Sequence, residues 1–405
     1  MKPPPLPLEE AQARLLALAE PLPVEHGDVE SAIGRFVAAP LLARRTQPAA
    51  DLSAMDGYAV KADDMSGPWR VIGESAAGHP FVGHVHAGEA VRIATGAVMP
   101  AGADAVILQE DLNHTGQTIE LTGDPPSPPT KHIRRCGMDF RDGDEVLGQG
   151  ARIGATQAAL AIAAGHRLLP VRRMPRVAVI DSGDELVDDA ENCAPHQIPA
   201  SNGVMLATMI ASLPCRVERL GPVADEMAAT VAALDRATDF DVIVTSGGAS
   251  VGDHDLIRPA LESTGATLDF WRVFIKPGKP LLVATRERAR GRQIILGLPG
   301  NPVSAHVTAY LFLLPLLRAL LGAANPLPQP FRARLAAPLR PAGSRREFLR
   351  AHWDGMGIVA QAVQDSGALA ALAASNALID RDARAPALET GEEVTAYWLG
   401  NGGIA

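Results

Sequence analysis

Short glycine- and acid-rich loops hold the residue types that could bind a polyanion. The segment 181–185 reads Asp-Ser-Gly-Asp-Glu, 246–255 reads Ser-Gly-Gly-Ala-Ser-Val-Gly-Asp-His-Asp, and 299–302 reads Pro-Gly-Asn-Pro. Glycines let successive backbone N–H groups converge on one point and serines add neutral donors, so 246–255 is typical of an anion nest at a helix N-terminus. The predicted nest residues are Ser246, Gly247, Gly248 and Ser250.

Carboxylates accompany this predicted nest. Asp255 ends the 246–255 loop, and Glu185 and Asp225 could serve the same ligand. Since a carboxylate repels a bound anion unless a cation lies between them, we predict Mg²⁺, which is commonly held by one or two carboxylates plus substrate phosphate oxygens. The predicted metal ligands are Glu185, Asp225 and Asp255. The alternative is that Asp225 and Asp255 are only helix N-caps.

A lysine-bearing turn offers a second anion site. The segment 275–280 reads Ile-Lys-Pro-Gly-Lys-Pro and lies between two β-type runs. Lys276 and Lys279 can bind an oxyanion as point charges, although a solvated hairpin tip explains the turn equally. Asn301 and Pro302 fit an N-cap followed by proline in the first helical turn, so a structural role alone explains them. Only their expected position at the ligand edge makes them candidate site residues.

Further motifs are ambiguous by themselves. Three short segments could be either plain turns or parts of a functional site. They are Asp56-Gly57 within 53–60, Thr95-Gly96 within 93–97, and 134–139. Arg345, Arg346 and Arg350 form a local basic cluster, for which a charged surface is the alternative.

Alternating strands and helices from residue 176 onward must position the loops. This order predicts a doubly wound, largely parallel sheet covered on both faces. Ligands of such sheets bind beyond the carboxyl ends of the strands, so we predict that the three loops meet at one edge. The predicted strands are 177–180, 216–220, 242–245 and 294–298, and the predicted helices are 204–213, 227–237, 256–263 and 303–314.

The flanking sequence predicts a multidomain α/β plus β protein. An amphipathic N-terminal helix at 8–19 is expected to pack with an alanine-rich helix at 154–165, which makes the β-rich region between them an insertion. The predicted domains are a discontinuous helical or linker domain (1–50 and 143–173), a β-rich inserted domain (51–142), the α/β domain (174–324) and a small C-terminal β-barrel-like domain (325–405).

Composition excludes several classes of function. The 405 residues are 47% apolar and 20% charged, with a net charge of −9, which argues against nucleic-acid binding. Cys136, Cys193 and Cys215 are far apart, so disulfides are not expected. The start lacks the apolar core of a signal peptide, and the apolar segments 158–164 and 303–321 fit buried helices better than membrane spans. We expect a cytoplasmic protein without a membrane partner.

Taken together, the motifs resemble those of the molybdenum-insertion enzymes of the MoeA and gephyrin E-domain family. The resemblance covers nearly the whole chain. SAMDGYAV, IATGAVMPAGADAVILQED, SGDEL, SGGASVGDHD, IKPGKP and LPGNPVSA occur in the family's order and at suitable spacing.

This resemblance implies a homodimer of four-domain subunits, with each active site between the α/β domain of one subunit and the β-rich domain of the other. The implied reaction places molybdenum from molybdate on adenylylated molybdopterin, releases AMP and uses Mg²⁺. Implied catalytic residues are Asp56, Thr95, Glu185, Asp225, Asp255, Lys276 and Lys279. Implied binding residues are Arg134, Asp139, Pro280, Pro299, Pro302 and Arg350. Transient contact with the molybdopterin adenylyltransferase and with downstream cofactor-handling proteins is also implied.

Some positions depart from the family pattern. Asp181 stands where Ser or Thr is usual, Leu52 where Asn is common, and Ala371 where a serine often faces the oxyanion. The alternatives to a molybdenum-insertion enzyme are a molybdopterin adenylyltransferase, a non-catalytic scaffold and a passive molybdate-binding protein. Adenylyltransferases typically carry Gly-Gly-Thr-Gly where this chain has Gly-Ala-Ser at 248–250. Carboxylates near an oxyanion argue against a passive binding protein, because they are expected there only where a metal ion binds and a reaction takes place.

Overall fold

The α/β region forms a twisted mixed sheet. The computed structural model describes residues 4–247 and 256–400. From one edge to the other, the strands of this sheet are Arg216–Arg219, Arg176–Asp181, Val242–Ser246, Gln293–Leu298, Leu282–Arg286 and Thr267–Trp271. The first four run parallel and match the predicted strands within two residues. Leu282–Arg286 and Thr267–Trp271 are antiparallel to their neighbours, so the parallel part is shorter than the sequence suggested.

Helices cover both faces of this sheet, as predicted. One face packs against Ser201–Ala211 and the long C-terminal helix of the region, and the other against Met227–Arg236 and Ile257–Ser263. Val179 and Val244 point into the first core, whereas Ala178 and Ile243 point into the second. Because the side chains alternate between two cores, the strands are apolar on both sides. Their sequences are therefore continuous apolar runs.

The most apolar helix is a core helix. Pro302–Leu320 is long and apolar enough to cross a membrane, but 89% of its apolar window is buried within the protein. It runs as Pro302–Thr308, a π-helical stretch at Ala309–Leu313, and Leu314–Leu320. The expectation of a buried helix is therefore confirmed.

The N-terminal helix, Leu8–Ala17, does not pack with the Ala155–Ala163 helix, so that expectation was wrong. Its buried side chains Leu8, Ala11 and Leu15 join the core of the α/β region, and Gln12 Nε2 donates to the Leu311 carbonyl at 2.9 Å. The apolar face alone could not indicate which core it would join, because any apolar surface buries it equally well.

Short ladders connect the segments before and after the β-rich region. Val24–Asp28 pairs with Leu168–Arg172, and Leu41–Leu42 pairs with Glu145–Leu147. The Ala155–Ala163 helix packs on the same small core. These pairings are compatible with a discontinuous linker domain, whose boundaries stay a prediction.

The β-rich region forms its own sheet. In spatial order its strands are Ala105–Leu108, Gly57–Val60, Glu89–Ile93, Trp69–Ser75, Thr118–Leu121 and Leu112–Thr115. Leu52–Ser53 pairs with Ile133–Arg134 beside it, and short 3₁₀ turns lie at Gln109–Asp111 and Pro129–His132. Trp69 and Ile107 are fully buried in its core.

The C-terminal region is a second β unit with one short helix, Leu369–Ala373. Its sheet runs Ile275–Lys276, Arg346–Trp353, Ala377–Arg381, Glu393–Trp398 and Pro330–Arg334, with Ile358–Ala360 added to the second of these. Ile275–Lys276 comes from the α/β region, so the predicted lysine turn connects the two regions.

A buried carboxylate, Asp241, stabilises the amino ends of the parallel strands by pairing with Arg173 and with the buried Arg288. Asp241 is 7% exposed, and its carboxylate accepts bonds from Arg173 at 2.9 and 3.0 Å and from the Arg176 N–H at 2.8 Å. We expect Asp241→Ala to lower the free energy of unfolding by about 3–5 kcal/mol, because it leaves buried donors unpaired. Urea unfolding checks this. Asp239→Ala is the control, since the Asp239–Arg290 pair is exposed and about 1 kcal/mol or less is expected.

Candidate active site

The three predicted loops do meet at one edge of the α/β sheet. Asp181, Ser246 and Leu298 end neighbouring parallel strands and stand in register with one another. The chain beyond them opens into a cleft of about 870 Å³, here called the main cleft. Described residues that line it include Asp181, Ser182, Gly183, Glu185, Ser201, Asn202, Asp225, Ser246, Gly247, Pro280, Pro299, Gly300, Asn301 and Pro302.

Gly247 begins the predicted anion nest in a conformation that requires glycine. Its φ is +99°, and a Cβ there would lie 2.4 Å from the Ser182 carbonyl oxygen. Gly248, Ser250 and Asp255 lie outside the described residues, so their predicted roles as nest and metal ligand stay predictions.

Sequence reasoning missed the start of the helix at Ser201. Asn202, in its first turn, lines the main cleft and donates from Nδ2 to Ser246 Oγ at 2.9 Å and to the Gly300 carbonyl at 2.6 Å. These bonds join two of the strand-end loops. The predicted helix began at 204 because the apolar periodicity begins there, whereas Ser201-Asn202 following Pro199-Ala200 was the available start signal.

The main cleft carries the predicted carboxylates Glu185 and Asp225. Both residues are exposed, and the Asp225 N–H donates to Asp184 Oδ1 at 2.9 Å, which holds the two acidic segments together. Within residues 4–247 and 256–400, no group of three His, Cys, Asp or Glu side chains could hold a metal ion. A divalent ion held by Glu185 or Asp225 would need further oxygens, from the substrate, from water or from other residues.

Asp181 adds an acidic group that the family pattern lacks. It is 2% exposed, its Oδ2 would lie 1.9 Å from a Cβ on Gly203, and its nearest cation is Arg219 at 4.0 Å. Burial raises the pKa of the Asp181 carboxyl to about 6, and Arg219 only partly offsets this. Asp181 is therefore a buried carboxyl that lines the main cleft and has a pKa of about 6.

Asp181 is expected to make stability depend on pH. Its pKa in the folded state, about 6, lies above the ordinary value of 3.8, so the folded state holds the proton more tightly. This contribution is fully present below about pH 4 and is lost as pH rises through 6. Asp181→Asn should therefore gain on the order of 3 kcal/mol relative to the parent between about pH 4 and pH 8. Parallel pH dependences in urea unfolding would contradict this.

The lysine turn reaches the ligand edge because Leu282–Arg286 runs antiparallel to Gln293–Leu298. Leu282 pairs with Gly297, so the residues before Leu282 lie beside the carboxyl ends of the parallel strands. Gly278 has a φ of +103°, and a Cβ on it would lie 2.5 Å from Thr308 Cγ2. The turn follows a strand that pairs with the C-terminal sheet, so it is not the tip of a hairpin, and Lys276 and Lys279 are exposed.

A smaller recess of about 310 Å³ opens at this turn, here called the cationic pocket. It is lined by Lys276, Pro277, Gly278, Lys279, Pro280, Ser304, Arg345, Glu347, Phe348, Leu349, Arg350, Gln364, Asp365 and Ser366. Lys276 Nζ lies 3.0 Å from Glu347 Oε1. Pro280 lines both recesses, so the main cleft and the cationic pocket adjoin.

Arg350 is a buried cation of this pocket and not part of a charged surface. It is 0% exposed, and Nη2 donates to the carbonyls of Val363 at 3.0 Å and Asp365 at 3.1 Å. Nε and Nη1 have no hydrogen-bond partner among the described residues. Burial lowers the pKa of the guanidinium, and buried donors without partners are costly unless a ligand meets them. Arg346, from the same predicted cluster, instead pairs with Asp380 and Glu9.

The candidates in the β-rich region lie apart from both recesses. Thr95 donates to Asp56 Oδ1 from its N–H at 2.6 Å and from Oγ1 at 2.8 Å, and these bonds lower the pKa of Asp56. Arg134 and Asp139 are exposed on neighbouring segments. Among the described residues that line either recess, none of these four occurs.

Known protein families match almost every part of this architecture. Residues 6–165 match the MoeA N-terminal region (domain I and II), 178–319 match a probable molybdopterin-binding domain, and 332–399 match the MoeA C-terminal region (domain IV). The chain thus combines a molybdopterin-binding α/β domain with MoeA flanking regions.

Similar proteins agree with this assignment. The Haemophilus influenzae molybdopterin molybdenumtransferase is 36% identical over 96% of this chain and 98% of its own length, and the Nostoc enzyme of that name is 33% identical over 87% and 83%. A crystal structure of a Pyrococcus horikoshii MoeA protein superposes with a TM-score of 0.80 at 29% identity, over 99% of this chain and all of that one. The chain belongs to the MoeA family of molybdopterin molybdenumtransferases.

Proposed function

We propose that this protein inserts molybdenum from molybdate into adenylylated molybdopterin and releases AMP. The main support for this proposal is that two recesses with different chemistry lie next to each other. The main cleft combines backbone donors with carboxylates, and the cationic pocket gathers Lys276, Lys279 and Arg350. A phosphorylated substrate suits the first, a small oxyanion suits the second, and their contact at Pro280 would let the two substrates meet.

The residues of the main cleft would act by positioning and by electrostatics. Gly247 and the start of the helix at Ser201 line the main cleft, and a helix N-terminus there would favour a bound pyrophosphate. Fixed donors stabilise charge that develops on phosphate oxygens when the phosphorus–oxygen bond to the pterin phosphate breaks. No nucleophilic side chain is required, because water or a molybdate oxygen can attack.

The cationic pocket suits a dianion. Lys276, Lys279, Arg345 and Arg350 bring four positive charges, of which the carboxylates of Glu347 and Asp365 offset two. Arg350 has two buried donors, Nε and Nη1, without a partner among the described residues, and Ser304 adds a neutral hydroxyl. This donor set favours a compact tetrahedral oxyanion such as molybdate.

Magnesium fits the donor set of the main cleft. Glu185 and Asp225 are hard oxygen donors that line this cleft, and substrate phosphate oxygens and water would complete the coordination. When bound, the ion would neutralise charge on the pyrophosphate. We expect Glu185→Gln to raise the half-saturating Mg²⁺ concentration for AMP release about tenfold or more, with recovery at high Mg²⁺. The control is Glu191→Gln. Glu191 lies on an exposed segment, so this change should leave the half-saturating Mg²⁺ concentration unaltered.

A shared site in a cytoplasmic homodimer is the second part of the proposal. Asp56, Thr95, Arg134 and Asp139 line neither recess of their own chain, so a partner subunit is the natural place for them to act. Leu42 and Leu168 border a surface depression and are 50% and 45% exposed, which gives a second copy apolar area to cover.

Incubation with adenylylated molybdopterin, Mg²⁺ and molybdate tests the reaction. We expect AMP release that needs both ions. A molybdopterin adenylyltransferase would instead convert ATP and molybdopterin into the adenylylated compound, and a scaffold would do neither. Either of those results would overturn the proposed function.

A further inference from the structure

We propose that Ser366 supplies a hydroxyl donor to the oxyanion in the cationic pocket and that Asn301 orients it. This inference rests on the proposed function, because it assumes that the pocket binds molybdate. It concerns the residues that the C-terminal region contributes to the site. Ala371 stands there in place of the serine that often faces the oxyanion in the family, so another residue must supply a hydroxyl.

Ser366 lies where the cationic pocket meets the α/β region. It is half-buried and lines the pocket, whereas Ala371 is not among the described lining residues. Ala371 belongs to the Leu369–Ala373 helix, and its carbonyl accepts a bond from Ser375 Oγ at 2.7 Å. The neutral donor of this wall is therefore Ser366.

Asn301 directs the Ser366 hydroxyl. Asn301 Nδ2 donates to Ser366 Oγ at 3.0 Å, so one lone pair of that oxygen is used and its hydrogen remains to donate elsewhere. The Val303 N–H donates to the Ser366 carbonyl at 3.1 Å and fixes the backbone as well. Asn301 also lines the main cleft, so its bond to Ser366 connects the wall of the main cleft to a residue of the cationic pocket.

The loop that carries Ser366 also positions Arg350. The carbonyls of Val363 and Asp365 hold Arg350 Nη2, and the Gln364 side chain bonds the Arg350 backbone at both N–H and C=O. Segment 363–366 thus sets the guanidinium and the hydroxyl in one rigid unit. A charged and a neutral donor presented together suit an oxyanion with several equivalent oxygens.

Equilibrium dialysis with molybdate, using the full chain, tests the inference. Ser366→Ala should weaken molybdate binding about tenfold, since it deletes one hydrogen bond to a charged ligand. Ser366→Thr keeps the hydroxyl and should stay within about threefold of the parent. Ala371→Ser is the matched control and should change binding less than about twofold.

AMP binding separates a donor role from a structural one. Because segment 363–366 is bonded to the wall of the main cleft through Asn301 and Val303, a collapse of the loop would weaken AMP and molybdate together. We expect Ser366→Ala to leave AMP affinity unchanged. Parental molybdate binding by Ser366→Ala, parallel loss of both ligands, or tighter binding by Ala371→Ser would each overturn the inference. Absence of molybdate binding by the parent protein would instead overturn the cationic pocket itself.

Discussion

Arg350→Lys is expected to raise the half-saturating molybdate concentration for AMP release by about 100-fold. Arg350 is fully buried, and the Val363 and Asp365 carbonyls fix it while Nε and Nη1 have no partner among the described residues. Lysine keeps the charge but presents it from one point, so it cannot meet both the carbonyls and the oxyanion. Steady-state AMP release at varied molybdate measures the effect.

Two controls make this result interpretable. Arg340→Lys changes an exposed arginine and should leave the molybdate dependence unaltered. Urea unfolding of Arg350→Lys shows whether the fold survives. A folded Arg350→Lys protein with the parental molybdate requirement would remove Arg350 from the oxyanion site.

Mixed dimers of two inactive variants are expected to recover about half of the parental AMP release per dimer. Asp56→Asn should inactivate through the β-rich region and Asp225→Asn through the α/β region, because each loses a carboxylate of the proposed shared site. If the site combines regions from two subunits, a mixed dimer has one site with both changes and one with neither. Differently tagged chains, co-expressed and purified through both tags, provide the sample.

The homodimers of each variant are the controls. A mixed dimer that remains as inactive as its parents would place Asp56 and Asp225 in the same subunit's site. A monomeric protein with full activity would contradict the shared site altogether.

The sequence predicted the sheet and its ligand edge well. Parallel strands place their carboxyl ends together, so 181–185, the start of 246–255 and 299–302 had to meet once the strands were recognised. Glu185 and Asp225 line the cleft for the same reason. The local sequence pattern was sufficient to predict the residues of the cleft, because each motif lies directly after a strand or next to the start of a helix.

The cationic pocket was harder to predict because its walls come from distant parts of the chain. Lys276 pairs with a strand that contains Glu347, and Arg350 is held by carbonyls at 363 and 365. In the structure the three arginines of the predicted basic cluster separate: Arg350 is buried, Arg346 is ion-paired, and Arg345 donates to the Ile275 carbonyl. These differences depend on packing and not on composition. The N-terminal helix likewise joined the α/β core, since amphipathicity shows that a face is buried but not against what.

The most direct test of the central claim is the stoichiometry of a single turnover. The protein is incubated with adenylylated molybdopterin, Mg²⁺ and labelled molybdate, and both AMP and molybdenum bound to the pterin are quantified. We expect that AMP and pterin-bound molybdenum form in equal amounts and that neither forms when molybdate is omitted. AMP release without molybdate, or molybdate retained with no AMP released, would contradict it.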